Sequence, residues 1–486
     1  MYLNYLHALF VFTLAIANCP FLAAESTTTI NSAKNWGTWE GWGVSLAWWA
    51  KAFGDRDDLA DIFFSLNTTI FNNQTLPGLG LNIVRYNAGA SSWNNISSDV
   101  MVVSPRIIHS RQVDGYWLDH DSTNTSSTSW NWDVDSNQRN MLLKARDRGA
   151  NIFELFSNSP MWWMCSNHNP SGSNGGSSDN LPSRNYDQHA IYLATIAKYA
   201  IDNWGFSFTS VEPFNEPSSS WWTGRSQTQE GCHFGVSAQK AVIPYLRSEL
   251  NDRGLNSTII SASDEYSYDN AIGTFKSLGS TALSDVARIN VHGYQEGGGR
   301  RDVLYNLVSG AGKKLLNSEY GEKDATGRRL VSNLMLDFIW LHPTAWIYWQ
   351  ALDIPGWGLI ECDNDKLTIG NASQKYFVLA QFTRHIRPGM QILEGGSDYT
   401  VAAYDSATQK LVIVAVNWGK GQYINFDLSK FGQNAVNGIL VKRWRTEIGS
   451  GEQYVEYSDT FVSGGIFRSY FNYGTVQTFE LDNVLL

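Results

Sequence analysis

Ser207-Phe208-Thr209-Ser210-Val211-Glu212-Pro213-Phe214-Asn215-Glu216-Pro217 joins a short strand-like run to a turn bounded by two prolines. Residues 207–212 have the length and apolar content of a buried strand, and Asn215-Glu216-Pro217 has turn chemistry. Seven more such runs lie on either side: Gly41 to Leu46, Leu81 to Asn87, Asn151 to Ser157, Thr258 to Ser263, Val286 to His292, Lys314 to Ser318 and Thr344 to Trp349. Amphipathic stretches separate them. Asn137 to Arg148 stops at Gly149, Tyr186 to Asn203 at Trp204-Gly205, Ser237 to Arg253 at Gly254, and Arg328 to Leu341 before Pro343. Gly just past the last turn and Pro beyond it are helix stops. Strands alternating with helices predict an α/β fold, a (β/α)8 TIM barrel with its chemistry at the strand ends.

Beyond about residue 375 the helical period disappears. Val401 to Asp405, Lys410 to Asn417, Tyr423 to Asp427, Ile439 to Thr446 and Thr475 to Leu481 alternate as half-buried strands do, which predicts an appended all-β sandwich. Thr27 to Asn31 is suited to adding a strand to it. The expected organisation is a signal peptide at 1–24, an N-terminal strand packing on the sandwich at 25–35, the barrel at 36–375 and the sandwich at 376–486. The Ser/Asn/Gly-rich stretches 121–131 and 167–180 read as long barrel loops.

Ala8 to Ala17 is an apolar centre of 10 residues, followed by Phe21-Leu22-Ala23-Ala24, the pattern of an export signal. Glycosylation acceptors at Asn67, Asn73, Asn95, Asn124, Asn256 and Asn371 agree with secretion. No stretch reaches the ~20 apolar residues that span a bilayer. A net charge of -10 disfavours nucleic acid and anionic membrane surfaces. Cys165, Cys232 and Cys362 remain after signal removal, and the simplest expectation is one disulfide and one thiol. The chain also carries 20 Trp, 22 Tyr and 23 Phe, an aromatic excess that suits a ligand stacking on rings.

Glu216 closes the fourth candidate strand, and Glu319, in Leu315-Leu316-Asn317-Ser318-Glu319-Tyr320-Gly321, closes the seventh. A lone glutamate at a strand end is commonly a surface or ion-paired residue. Two at strand ends that face each other across a barrel mouth can straddle one bond, as glycoside hydrolysis requires. There is no zinc-peptidase, serine-hydrolase, Walker or dinucleotide motif, and the histidines lack metal-ligand spacing. No cofactor and no metal are therefore expected.

Gly41-Trp42-Gly43-Val44-Ser45-Leu46-Ala47-Trp48-Trp49-Ala50, Asn82-Ile83-Val84-Arg85-Tyr86-Asn87, Ser157-Asn158-Ser159-Pro160-Met161-Trp162-Trp163-Met164 and the two glutamate motifs resemble glycoside hydrolase family 30. The likeness runs over the whole mature chain, and its first and third motifs are most similar to the fungal endo-β-1,6-galactanases of that family. The resemblance implies a secreted, retaining endo-glycosidase acting on the β-1,6-galactan side chains of arabinogalactan proteins. It implies Glu216 as acid/base and Glu319 as nucleophile. Arg85 would hold Glu319 ionised, Asn215 would contact the neighbouring sugar hydroxyl, and Tyr294 would donate to the nucleophile. His292 reads equally as a packed core residue, and Asp264 and Glu265 as supporting carboxylates.

Trp349 would floor the reacting sugar's subsite, because an indole covers the C–H face of a pyranose. Trp48 and Trp162 are further candidates for substrate contact, as are Trp49, Trp163, Trp221 and Trp222, with half or more of the set expected in the core. The expected partner is a polysaccharide and the default state a monomer. The alternatives are another polysaccharidase of the family, a β-1,6-glucanase or xylanase, and a non-catalytic carbohydrate-binding protein.

Overall fold

The computed structural model describes residues 24–432 and 437–486. The expected export signal lies outside them except for Ala24, the first residue of a strand. Eight parallel strands close into a barrel: β1 (Gly41–Ser45), β2 (Ile83–Asn87), β3 (Ile152–Phe156), β4 (Ser210–Glu212), β5 (Ile259–Glu265), β6 (Val286–His292), β7 (Lys314–Tyr320) and β8 (Ala345–Tyr348). Each pairs with its neighbour in sequence, and β8 closes on β1 through Ala345 opposite Gly41 and Tyr348 opposite Val44. All five residues of β1 and of β2 are buried, as strands covered on both faces must be. Gly43 belongs to the interior packing: a Cβ there would lie 2.8 Å from the Ile83 Cβ and 3.0 Å from the Ile347 Cγ1.

The crossover helices include Ser136–Asp147, Tyr186–Tyr199, Val236–Asp252 and Arg328–Leu336. Wider π-type turns, Ala200–Trp204 and Asp337–Leu341, continue the second and fourth. Tyr268–Asp285 and Arg301–Gly310 are also helical, although the sequence pattern does not announce them. The first is interrupted at Gly279 (φ 78°), and its Gly and Ser content blurs the apolar period.

A seven-stranded sheet runs in the order Asn31–Thr38, Gln391–Glu394, Thr400–Asp405, Lys410–Asn417, Thr475–Leu481, Leu440–Glu447 and Val455–Phe461. It faces a three-stranded sheet of Ala24–Thr29, Gln422–Asp427 and Ile466–Phe471. Ala24–Thr29, the first described strand, runs parallel to Gln422–Asp427, in the unit formed by the C-terminal strands. Phe426, Phe467, Phe471 and Phe479 fill the space between the sheets with Leu411 and Ile413. Helix Gln374–Thr383 is buried at all ten positions, as a helix enclosed on every side must be, and the expected boundary at 375/376 falls inside it. Gln381 ties it to the sandwich: its Nε2 donates to Thr446 Oγ1 at 2.8 Å and its carbonyl accepts from Thr478 Oγ1 at 2.8 Å.

The expected disulfide does not form among the described residues. Cys165, Cys232 and Cys362 are all free and buried. Each packs as a small apolar side chain, and burial pushes the Cys165 thiol up to about 12, far from thiolate chemistry.

Candidate active site

Six of the barrel strands bring their C-terminal ends to one cluster. Arg85 from β2 is its hub, with no exposed surface. Its Nη1 donates to Glu319 Oε2 at 3.1 Å, its Nη2 to Asp264 Oδ2 at 2.6 Å and its Nε to Glu154 Oε1 at 3.2 Å, and the guanidinium lies 4.0 Å over the Phe156 ring. Burial works against its charge, but Asp264, Glu154 and Glu319 outweigh that and raise its pKa. Asp264, held by Arg85, His292 and Ser318 against burial, stays ionised with a pKa near 2.

Glu216 sits four residues beyond the end of β4, in the left-handed region at φ 49°, and its amide donates to the Asp264 carbonyl at 2.9 Å. Asp264 itself has φ 57°. Two non-glycine residues in this sparsely populated region, joined by a backbone hydrogen bond, are the kind of local strain that aims side chains at functional sites. Trp222 steadies the same turn by donating from Nε1 to the Glu216 carbonyl at 3.0 Å. Glu319 lies within β7. Tyr294 Oη donates to its Oε1 at 2.7 Å, so Oε1 and Oε2 each accept from a different neighbour.

His292 joins the two glutamates. Its Nδ1 lies 3.1 Å from Glu216 Oε1 and 3.5 Å from Glu319 Oε1, and its Nε2 lies 3.2 Å from Asp264 Oδ1. Burial alone would lower its pKa, yet Glu319, Asp264 and Glu216 raise it well above the usual histidine range. One ligand-type atom from each of Glu216, His292 and Glu319 falls within 4.8 Å of the others. A protonated imidazole offers no lone pair, so the trio suits proton sharing better than metal binding. For Glu319, burial and the Glu216 charge raise the carboxyl pKa while His292 and Arg85 oppose them. Arg85 and Tyr294 both donate to Glu319, which favours an anion on that carboxyl.

Above the cluster opens a cleft of about 290 Å³ lined by Glu216, Glu319, Tyr294, Tyr266, Trp221 and Trp349, with Trp222, Trp357, Gln227 and Gln229 completing it. Arg85, Glu216, Tyr294, Glu319 and Trp349 thus come together from four strand ends and the turn after β4, in which Asn215 directly precedes Glu216. Asn215 is buried, with its Oδ1 unpaired among the described residues.

Two expected contacts do not reach the cleft. Trp162 is 0 % exposed and its Nε1 donates to Ser92 Oγ at 2.6 Å, so it is a core residue. Trp48 is 2 % exposed and packs edge-on behind Trp349, with ring centroids 5.1 Å apart and the Arg111 guanidinium over its own ring. For Trp48 the Arg111 guanidinium already occupies the face a sugar would need, and Trp162 has no exposed surface to offer one. Trp49, Trp163 and Trp222 are also buried, whereas Trp221 is 38 % exposed at the cleft.

Tyr266 and Trp357 are additions to the expected set. Tyr266 stacks on Tyr294 at 5.4 Å and 18°, and it directly follows Asp264-Glu265, a run the sequence does single out. Trp357 comes from an irregular loop beyond β8, where no periodic pattern marks it.

The sequence profile of O-glycosyl hydrolase family 30 matches residues 25–274. An endo-β-1,6-galactanase of Hypocrea rufa is 62% identical over 463 residues, covering 95% of this chain and 96% of the relative. Among solved structures, a conserved exported protein from Bacteroides fragilis superposes with a TM-score of 0.77 at 18% identity, over 94% of this chain and 100% of that one. The catalytic domain of xylanase C from Talaromyces cellulolyticus does so with 0.70 at 18% identity, over 95% and 100%. These two share the fold, barrel and sandwich together. With the profile covering more than half of the chain and the fungal relative nearly all of it, the chain belongs to glycoside hydrolase family 30.

Proposed function

We propose that the chain is a secreted endo-β-1,6-galactanase that cleaves its polysaccharide with retention of configuration, Glu319 acting as nucleophile and Glu216 as acid/base. The observation that carries the mechanism is the approach of one Glu216 oxygen and one Glu319 oxygen to within 4.8 Å. Retaining enzymes keep the two carboxyls about 5–5.5 Å apart, whereas inverting ones leave roughly 6.5–9.5 Å for a water. The substrate class rests on the 62% identical fungal relative. Export is supported by the signal-like residues 1–24 and by the exposure of all six glycosylation-acceptor asparagines.

In the first step a Glu319 oxygen forms a bond to the anomeric carbon. The bond to the leaving oxygen breaks, and that oxygen takes the proton of Glu216. Arg85 and Tyr294 keep the attacking carboxylate ionised and aimed. Having given its proton to the leaving oxygen, Glu216 is left as the base beside a Glu319 ester that no longer carries negative charge. In the second step Glu216 takes a proton from water, the hydroxyl adds to the anomeric carbon, and the ester to Glu319 breaks. His292, within reach of both glutamates, stabilises whichever is ionised. Asn215 offers its unpaired Oδ1 to a sugar hydroxyl, and Trp349 covers the apolar face of the ring.

The test is digestion of β-1,6-galactan, β-1,6-glucan and xylan by the purified chain, with products followed by chromatography and anomeric proton NMR. Internal cleavage of galactan with the β-anomer formed first is the expected result. Release from glucan or xylan alone would overturn the substrate, and α-anomer first would overturn the mechanism.

A further inference from the structure

The sandwich carries a second concave surface of about 590 Å³, lined by Tyr423, Arg443, Arg445, Tyr457, Asp459, Thr460, Phe461, Arg468, Ser469 and Tyr470. Strand alternation builds it. Along Leu440–Glu447, Arg443 and Arg445 point into this groove while Lys442 and Trp444 line a separate hollow. Along Val455–Phe461, Tyr457, Asp459 and Phe461 share the groove side. Phe461 is 58% exposed and Tyr470 39% exposed, two flat apolar surfaces beside the hydroxyls of Thr460 and Ser469.

The charge is distinctive. Three arginines and one aspartate line the groove of a chain whose net charge is -10. Arg443 is satisfied by Asp459 at 2.6 Å and by Gln477 at 3.1 Å, and Arg445 pairs with Glu452. Both also lie over the Tyr457 ring, at 4.2 Å and 5.1 Å, which fixes them in place. Arg468 is the surplus cation. It is exposed, it is held 4.8 Å over Tyr423, and it has no carboxylate partner within ion-pairing distance among the described residues. Its guanidinium rests over that ring, and a planar guanidinium matches a carboxylate bidentately.

We propose that this groove is a second saccharide-binding site that takes a uronic-acid residue, its carboxylate on Arg468 and its ring against Phe461 and Tyr470. A uronate combines the two features the groove addresses, an apolar pyranose face and a single negative charge. A neutral sugar would leave Arg468 unanswered, and inorganic phosphate would leave Phe461 and Tyr470 unused. The site is separate from the barrel cleft, none of whose lining residues it shares. It would hold acidic stretches of a glycan while the cleft works on neutral ones, raising local substrate concentration through two-point attachment.

Affinity electrophoresis of the full chain tests this, with polygalacturonate in one gel and neutral β-1,6-galactan in another, and with Glu319→Gln as background to prevent cleavage. Polygalacturonate is expected to retard the chain, and added salt to weaken the effect. Arg468→Gln with Phe461→Ser is expected to lose about ten-fold or more in affinity for it, from the loss of a charged hydrogen-bonded contact. Retardation by galactan should be unchanged, as should turnover of a nitrophenyl β-1,6-galactobioside by the same double variant with Glu319 intact. Equal retardation of parent and double variant by polygalacturonate would overturn the site. Equally strong retardation by inorganic polyphosphate would overturn the saccharide assignment. The readout is binding to an acidic polymer, so failure to cleave galactan would refute the proposed function and leave this result standing.

Discussion

Replacing Glu216 and Glu319 separately by alanine assigns the two carboxyls their roles. Both side chains are nearly enclosed, with one oxygen of each inside 4.8 Å of the other, so each truncation opens a carboxylate-sized space on one face of the anomeric carbon. Losing the general acid costs about 10²–10⁴ in rate on galactan, roughly 3–5 kcal/mol of barrier. On a nitrophenyl β-1,6-galactobioside the leaving group departs unaided, so Glu216→Ala forms the glycosyl-enzyme and stalls. Azide then enters where Glu216 was, attacks from the β face and releases the β-azide. In Glu319→Ala no ester can form. Azide occupying that space attacks the intact substrate from the α face, with Glu216 protonating the leaving oxygen, and releases the α-azide. Proton NMR of the azide products distinguishes the two by their anomeric coupling. The same anomer from both variants, or the reverse assignment, would refute the reasoning.

Trp349→Ala removes roughly 1–3 kcal/mol of ring stacking on the reacting sugar, and kcat/KM on galactan should fall about 5- to 150-fold with the fold intact by circular dichroism. Trp162→Phe should behave oppositely: a lower Tm, about 2 kcal/mol of stability, and an unchanged KM, because the ring is sealed in the core. Burial pushes the Glu230 carboxyl up to about 8, with Ser91, the Val113 amide and Lys51 only partly opposing it. Folded Glu230 therefore keeps a proton that the unfolded chain releases near pH 4.5, so stability is complete below that pH and declines toward pH 8 at up to about 1.4 kcal/mol per unit. Glu230→Gln removes that decline, and its Tm advantage over the parent should grow from pH 5 to pH 8; a constant difference would contradict a protonated Glu230.

The alternation of short apolar runs with helical stretches was enough to specify a barrel, because strands buried on both faces and helices buried on one leave different periods in the chain. The eight strand runs and the Glu216 and Glu319 motifs were legible for that reason, each being a local pattern. Tryptophan pairs mark an aromatic-rich mouth in the sequence, yet adjacency in sequence does not say which indole faces solvent. Only packing decided that Trp221 and Trp349 line the cleft while Trp162 is sealed and Trp48 stands behind Trp349. The tertiary structure likewise made His292 the link between the glutamates and Arg85 a hub for three carboxylates, since four separate strands must converge before either residue has partners. Buried charges take their protonation from neighbours distant in the chain, so the electrostatics of the site existed only once the barrel had closed.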